Sequence, residues 1–77
     1  MNYIGVITLI DGVPNLPTEN IHAGDTWVAG ADFYVTEAAY AYAGDLIIAS
    51  GTETDGIIAS SDIVWQVVKT GYQGAHD

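Results

Sequence analysis

Apolar residues in this sequence arrive in short bursts that are bounded by glycine and aspartate. β-Branched and aromatic side chains dominate these bursts, and such residues pack well on a pleated sheet. The glycine and aspartate between the bursts suit tight turns. The pattern therefore predicts an all-β fold, either a small sandwich or a partly open barrel of short antiparallel strands.

The bursts place the predicted strands along the chain at residues 3–10, 26–29, 32–36, 46–49 and 63–70. The pair Asp11-Gly12 suits a tight turn after the first strand, because glycine tolerates a positive φ. Residues 13–17 contain two prolines, which cannot donate to a ladder, so this piece is expected to be extended at a sheet edge or outside the sheet. The alanines of residues 37–43 favour a turn or a short helical piece.

The predicted core is formed by apolar residues of these strands: Trp27, Phe33, Leu46, Ile48, Trp65 and Val67. Both faces of residues 3–10 and of residues 63–70 carry apolar bulk. A chain of 77 residues buries too little surface to cover all of these faces, and it has no cysteine to form a disulfide. We therefore expect a homo-oligomer in which another subunit completes the fold. A closed small barrel is the alternative.

The charge balance excludes several partners. Ten acidic residues stand against one basic residue, Lys69, which gives a net charge of -9. Binding to nucleic acid requires several cationic groups that displace counterions from phosphates, so no nucleic-acid partner is expected. The same charge disfavours anionic membranes, and the longest apolar run is about half of the ~20 residues that a spanning helix needs. We expect a soluble protein whose acids keep its surface hydrated.

One short motif occurs twice. The tripeptide Ala-Gly-Asp at residues 23–25 returns at residues 43–45, and each copy leads directly into an apolar strand. Glycine supplies backbone freedom, and an aspartate carboxylate can accept backbone N–H groups at the start of a strand. The turn residues are predicted to be Gly24, Asp25, Gly44 and Asp45.

These features resemble a β module of bacteriophage head-fibre and tail-fibre proteins. The likeness is carried by the Gly-Asp strand starts at residues 24–28 and 43–49, the polar loop that follows, and the closing tryptophan strand at residues 64–68. It covers about residues 21–72. Residues 1–18 have no counterpart in that pattern, and Asp62-Ile63-Val64 stands where an aspartate next to the tryptophan is expected.

The resemblance implies a structural role in the virion, as a fibre module or as a capsid decoration or attachment protein. It also implies a homotrimer, or attachment to other virion proteins at a symmetric site. Residues 1–20 are then a strand and a proline-containing segment that could serve as an attachment arm. Residues 21–72 form the β module, and residues 73–77 form a tail.

Catalysis is not expected. A hydrolytic triad needs a nucleophile, a base and an orienting acid in contact. The serines that could act are Ser50, Ser60 and Ser61, and His22 and His76 are the only imidazoles. None of them lies in a recognisable nucleophile elbow. We predict no catalytic residue, no cofactor and no enzymatic activity.

A metal site is also weighed against a simpler interpretation. Residues 51–62 can be aligned with a calcium loop through Glu53, Asp55, Gly56 and Asp62. The first ligand position would be Gly51, which has no side chain. A solvated hairpin loop fits these residues better, so no metal site is predicted.

Two alternative functions stay open. A carbohydrate- or receptor-binding module would use exposed aromatic residues, and Tyr40 and Tyr42 are candidates because residues two apart project from the same side of an extended chain. Contact with a subunit is another role for this pair. The second alternative is an acidic inhibitor that mimics DNA, which the net charge of -9 suggests.

Overall fold

A computed structural model describes residues 2–70 of the chain. Its strands are β1 Asn2–Ile7, β2 Leu9–Ile10, β3 Val13–Pro14, β4 Asp25–Ala29, β5 Phe33–Thr36, β6 Ala39–Ala41, β7 Leu46–Ser50, β8 Glu53–Thr54, β9 Ile57–Ile58 and β10 Val64–Val68. A single 3-10 turn, Ser60–Asp62, precedes β10. The predicted tail at residues 73–77, together with Tyr72 and His76, lies outside the described residues.

Four of the strands form a central open sheet in the order β1-β4-β7-β10. The other six form three two-stranded hairpins, β2-β3, β5-β6 and β8-β9. The all-β prediction is confirmed, and the sheet does not close into a barrel. The predicted antiparallel pairing holds for the other ladders of residues 2–70, but β1 runs parallel to β4. The long connection between these strands makes this possible, since parallel neighbours need a crossover and cannot be joined by a tight turn.

Two hairpins use the same turn. Asp11 and Gly12 have φ of 53° and 81°, and Asp55 and Gly56 have φ of 56° and 86°. Positive φ at both central residues is the requirement of the type I′ turn that best fits two twisted antiparallel strands. The apolar run at residues 3–10, predicted as one strand, forms the two strands β1 and β2 with a break at Thr8.

Residues 37–43 do not form a helical piece. β6 returns along β5, with Phe33 paired to Ala41 and Tyr34 paired to Tyr40. Tertiary packing overrides the weak helix preference of alanine here, because Ala41 and Phe33 are both buried in the core.

The core lies on one face of the central sheet, which we call the inner face. Trp27 of β4 is opposite Ile47 of β7, which is opposite Val67 of β10. The hairpins β5-β6 and β8-β9 cover this row with Phe33, Val35, Ala41 and Ile58. The Trp65 ring meets the Trp27 ring edge to face with centroids 5.5 Å apart.

Two of the expected core residues are placed differently. Leu46 and Ile48 are only half-buried, whereas their neighbours Ile47 and Ala49 are completely buried. The run Leu46-Ile47-Ile48 has no alternation of polar and apolar residues, so its pattern could not indicate the inward face. The pairing of Ile47 with Trp27 decides it.

Candidate functional site

The two Ala-Gly-Asp turns have the same internal geometry. In the first, the Asp25 N–H donates to the carbonyl oxygen of His22 over 3.0 Å, and the Asp25 carboxylate accepts the His22 N–H over 2.9 Å. In the second, Asp45 makes the same two bonds with Tyr42 over 2.9 and 3.0 Å. Gly24 and Gly44 have φ of 92° and 97°, which glycine adopts without a steric cost.

Each turn is also held by the strand and loop of the other copy. The Gly24 N–H donates to Ala49 and the Gly44 N–H donates to Ala29, both over 2.9 Å. The remaining N–H groups of the two turns are bound by carboxylates: Ala23 by Glu53 and Ala43 by Asp32, each over 2.8 Å. The two copies are thus related by a local twofold axis.

That axis passes through the pair Trp27 and Ile47, which are counterparts in the repeat and also partners in the ladder. The turns fix where β4 and β7 begin, so they also fix the register between these strands. Because a slip of one residue would exchange the two faces of a strand, the turns decide which side chains face inward.

The opposite face of the sheet carries two regular rows of side chains. One row contains an apolar residue from each strand: Val6, Val28, Leu46 and Val68. The next row contains Tyr3, Thr26, Ile48 and Gln66, and Val64 lies opposite Ser50 beside it. We call the surface formed by these ten residues the open sheet face.

The open sheet face is exposed along its two edge strands, β1 and β10, but not at its centre, where Thr26 is only 1% exposed and Val28, Leu46 and Ile48 are half-buried. Tyr3 is 60% exposed, Val6 is 54% exposed and Val68 is 41% exposed. None of its ten residues is charged, although the chain carries ten acids. Exposed apolar side chains that lie next to each other on a folded protein are a feature of surfaces that associate with other molecules.

The outward side of the hairpin β5-β6 carries three tyrosines. Tyr40 packs edge to face against Tyr34 and against Tyr42, with ring centroids 4.7 and 5.0 Å apart. Tyr34 is 64% exposed and Tyr42 is 40% exposed. Together with Lys69 these rings line a shallow cavity of about 680 Å³, which we call the tyrosine groove.

Lys69 is fixed at one end of this groove. Its ammonium donates to a carboxylate oxygen of Asp45 over 3.1 Å and to the carbonyl oxygen of Tyr40, and it lies 4.9 Å from the ring centroid of Tyr42. The register of β7 and β10 explains the ion pair: Val68 is paired with Leu46, so the next residues along the two strands, Lys69 and Asp45, are also opposite each other. Lys69 thus joins the end of β10 to the tyrosine hairpin.

Asp45 and Tyr40 have displaced pKa values. Burial acts to raise the pKa of the Asp45 carboxyl, but hydrogen bonds from the Tyr42 N–H, the Lys69 ammonium and the Thr70 N–H outweigh burial and hold this pKa below its ordinary value. Burial, and then the negative charge of Asp32, raise the pKa of the Tyr40 phenol. Asp45 is therefore ionised and Tyr40 is a neutral phenol at neutral pH.

Several residues that were considered for catalysis or metal binding make contacts within the fold or lie in its turns. Ser50 donates its hydroxyl to the carbonyl oxygen of Val64 over 3.0 Å, and Glu53 is engaged by the Ala23 N–H. Asp55 lies in a hairpin turn, and the loop at residues 51–62 contains the hairpin β8-β9. Within residues 2–70, no three His, Asp or Glu side chains are grouped to hold a metal ion.

The sequence indicated part of these two surfaces. The structure brings Tyr40 and Tyr42 together as their spacing indicated, and it adds Tyr34 and Lys69, which the sequence did not connect with them. The alternation of Phe33, Tyr34 and Val35 was the signal for Tyr34. The open sheet face was missed as a set because Leu46 and Ile48 were assigned to the core.

Comparison with family models, with curated proteins and with solved structures gives no match to this chain. No helix in the described part of the chain is long and apolar enough to cross a membrane.

Proposed function

We propose that this protein is a structural component of a bacteriophage virion, a fibre module or a capsid decoration or attachment protein, that acts by oligomeric assembly. The open sheet face is the surface through which copies of the chain associate. No catalytic step is part of this role. The observation that carries the proposal is an uncharged four-stranded sheet face whose apolar side chains on the two edge strands, Tyr3, Val6, Val64 and Val68, are exposed.

The chemistry of that face favours its burial. Val6, Val28, Leu46 and Val68 lie side by side across all four strands. Burial of apolar area is favourable by about 25 cal/mol per Å². Two sheets that pack face to face do so ~10 Å apart, with their side chains interdigitated. Neighbouring copies of the chain therefore cover each other's open sheet faces.

The distribution of charge favours a second copy of this chain as the partner that binds the open sheet face. At a net charge of -9, two copies repel each other over most of their surfaces. The open sheet face carries no charge, so it is the surface on which two copies can approach at the least electrostatic cost. A basic partner would instead be recognised by the acidic surfaces.

The viral assignment is supported by the resemblance of the Gly-Asp strand starts and of the tryptophan strand to fibre modules. That resemblance implies a homotrimer, in which three open sheet faces would meet around a common axis. Other virion proteins would then hold the trimer on the particle.

The experiment places a charge at the end of the apolar row. In Val6→Glu, association would bury an unpaired carboxylate, which costs about 3 kcal/mol, or roughly 100-fold in the dissociation constant. Ile57→Glu is the matched control, because Ile57 is also an exposed apolar strand residue but lies on the hairpin β8-β9. Native mass spectrometry and sedimentation at micromolar concentration measure the association of all three proteins.

We expect the unmodified chain and Ile57→Glu to form the same oligomer, and Val6→Glu to be a folded monomer by circular dichroism. If the unmodified chain stays monomeric at all concentrations, the proposal is contradicted. A dimer in place of a trimer would keep assembly through the face and remove the fibre-like symmetry. Two other hypotheses, a carbohydrate-binding module and a DNA mimic, stay predictions.

A further inference from the structure

The tyrosine groove is separate from the open sheet face. The hairpin β5-β6 directs Phe33 and Val35 into the core and Tyr34 to its other side. Since the core covers the inner face of the sheet, the tyrosines point away from the open sheet face. Copies that associate through that face leave the groove accessible.

The groove combines aromatic surface with hydrogen-bonding groups, which is the usual composition of a ligand site. Tyr34, Tyr40 and Tyr42 each present an apolar ring and a phenol hydroxyl that both donates and accepts. Lys69 lines the groove as a further donor. The acceptors of the groove are the phenol oxygens, since the nearby Asp32 carboxylate is already bound by the Ala43 N–H over 2.8 Å.

The mixture of donors and acceptors favours a ligand that is rich in hydroxyl groups. A sugar ring offers C–H groups to an aromatic face and hydroxyls that donate and accept. A proline-rich peptide also binds aromatic grooves, but its prolines have no N–H and so offer no donor to the phenol oxygens that line this one.

The electrostatics favour a neutral sugar. The positive charge of Lys69 is already matched by Asp45 at 3.1 Å. The chain as a whole carries -9, which repels anionic ligands. A sialic acid or a uronic acid would therefore bind less well than an uncharged hexose.

We propose that the tyrosine groove binds a neutral sugar residue of an oligosaccharide, with the rings of Tyr34 and Tyr42 as the contact surface and Tyr40 between them. Lys69 is a positioning residue, because its bonds to Asp45 and to the Tyr40 carbonyl oxygen hold that end of the groove. The site is a property of each chain and does not depend on assembly.

The test is a titration followed by amide chemical shifts in NMR, with four separate probes: maltotriose, chitotriose, 3′-sialyllactose and a decaproline peptide. It is run on the unmodified chain and on Tyr34→Ala, Tyr34→Phe and Tyr3→Ala. Tyr3→Ala is the matched control, since Tyr3 is 60% exposed and Tyr34 is 64% exposed, but Tyr3 lies on the open sheet face. Repeating the titration on the Val6→Glu variant separates sugar binding from assembly.

We expect at least one of the two neutral trisaccharides to shift the amides of residues 34–42. Tyr34→Ala should weaken that binding about tenfold or more, which corresponds to ~1.4 kcal/mol. Tyr34→Phe should weaken it less, because the ring remains, and Tyr3→Ala should leave it unchanged. The Val6→Glu variant should bind as the unmodified chain does.

The proposal is overturned if neither neutral trisaccharide shifts these amides at a sugar concentration of about 10 mM. A dissociation constant above that concentration would be too weak for specific recognition. Stronger binding of sialyllactose would contradict the charge argument, and stronger binding of decaproline would assign the groove to peptides. Binding that survives Tyr34→Ala would place the sugar elsewhere on the protein.

Discussion

The two faces of the central sheet are built from neighbouring residues of the same strands, yet their surroundings differ completely. Ile47 is fully buried on the inner face, while Leu46 and Ile48 on either side of it are half-exposed on the open sheet face. All three residues are strongly apolar. The hydrophobicity of a strand residue therefore does not decide its burial in this fold; the position of the hairpins does.

The position of the hairpins follows from the repeated turn. Asp32 and Glu53 lie at the start of hairpins β5-β6 and β8-β9, and each binds the turn of the opposite copy. Those bonds draw both hairpins to the inner face. No such bond within residues 2–70 draws a hairpin to the other face, and we propose that a second copy of the chain covers it.

The largest expected effect is on the inner face. Trp27→Ala should reduce the free energy of unfolding by about 3–5 kcal/mol, the cost of removing a buried aromatic side chain. Trp65→Ala should cost less, since Trp65 is only partly buried against the core. Urea denaturation of both variants measures the difference, and an equal or larger loss for Trp65→Ala would mean that the core is centred on β10.

A comparison of two adjacent residues sharpens the contrast between the faces. Ile47→Ala should cost about 2–5 kcal/mol at any protein concentration. Leu46→Ala should cost about 1–2 kcal/mol in dilute solution, where its side chain stays half in water. Its cost should rise as the concentration is raised and copies associate. Thermal denaturation over a range of concentrations tests this, and a Leu46→Ala cost that is independent of concentration would count against assembly through that face.

A further comparison concerns the two aspartates at the polar ends of the inner face. Asp45→Asn should cost about 1–3 kcal/mol, because it weakens the acceptor for the Tyr42 N–H and leaves Lys69 without a counter-charge. Asp25→Asn should cost less, since the side chain that Asp25 contacts is the neutral amide of Asn2. Denaturation of both variants under the same conditions provides the comparison.

Acid should act on the two faces in opposite directions. The pKa of Asp45 is lowered by folding, so its stabilising effect is complete above pH about 4, the ordinary value for an unfolded aspartate, and is lost as the pH falls through the lower folded pKa. Association through the uncharged face should instead strengthen as the acids are protonated and copies repel each other less. Asp45→Asn should reduce the pH dependence of the free energy of unfolding and leave the pH dependence of association unchanged. If association and stability were both lost as the pH falls, the separation of the two faces would be contradicted.

Much of this fold could be predicted from the sequence, because glycine and aspartate mark the turns and β-branched runs mark the strands. The positive φ of Gly24 and Gly44 and the two Asp-Gly turns follow from local chemistry. The parallel pairing of β1 could not be predicted, since it depends on a contact between distant segments and not on a local pattern.

The residues of the open sheet face could not be assigned to one face from the sequence pattern alone. The open sheet face joins Tyr3 and Val6 on one side of β1, although they are three positions apart. The register shifts between Tyr3 and Gly5, and this irregularity restores the match with β4. Alternation in the sequence contains no sign of such a shift, and the unbroken run Leu46-Ile47-Ile48 hides its own orientation in the same way.

The most direct test of assembly through the open sheet face is an NMR experiment on an equal mixture of carbon-13-labelled and unlabelled copies, filtered for nuclear Overhauser effects between different chains. The account predicts intermolecular contacts among the methyl groups of Val6, Val28, Leu46 and Val68, and none at Val35 in the core. A mixture that shows no intermolecular contact at millimolar concentration, or contacts confined to other surfaces, would contradict it.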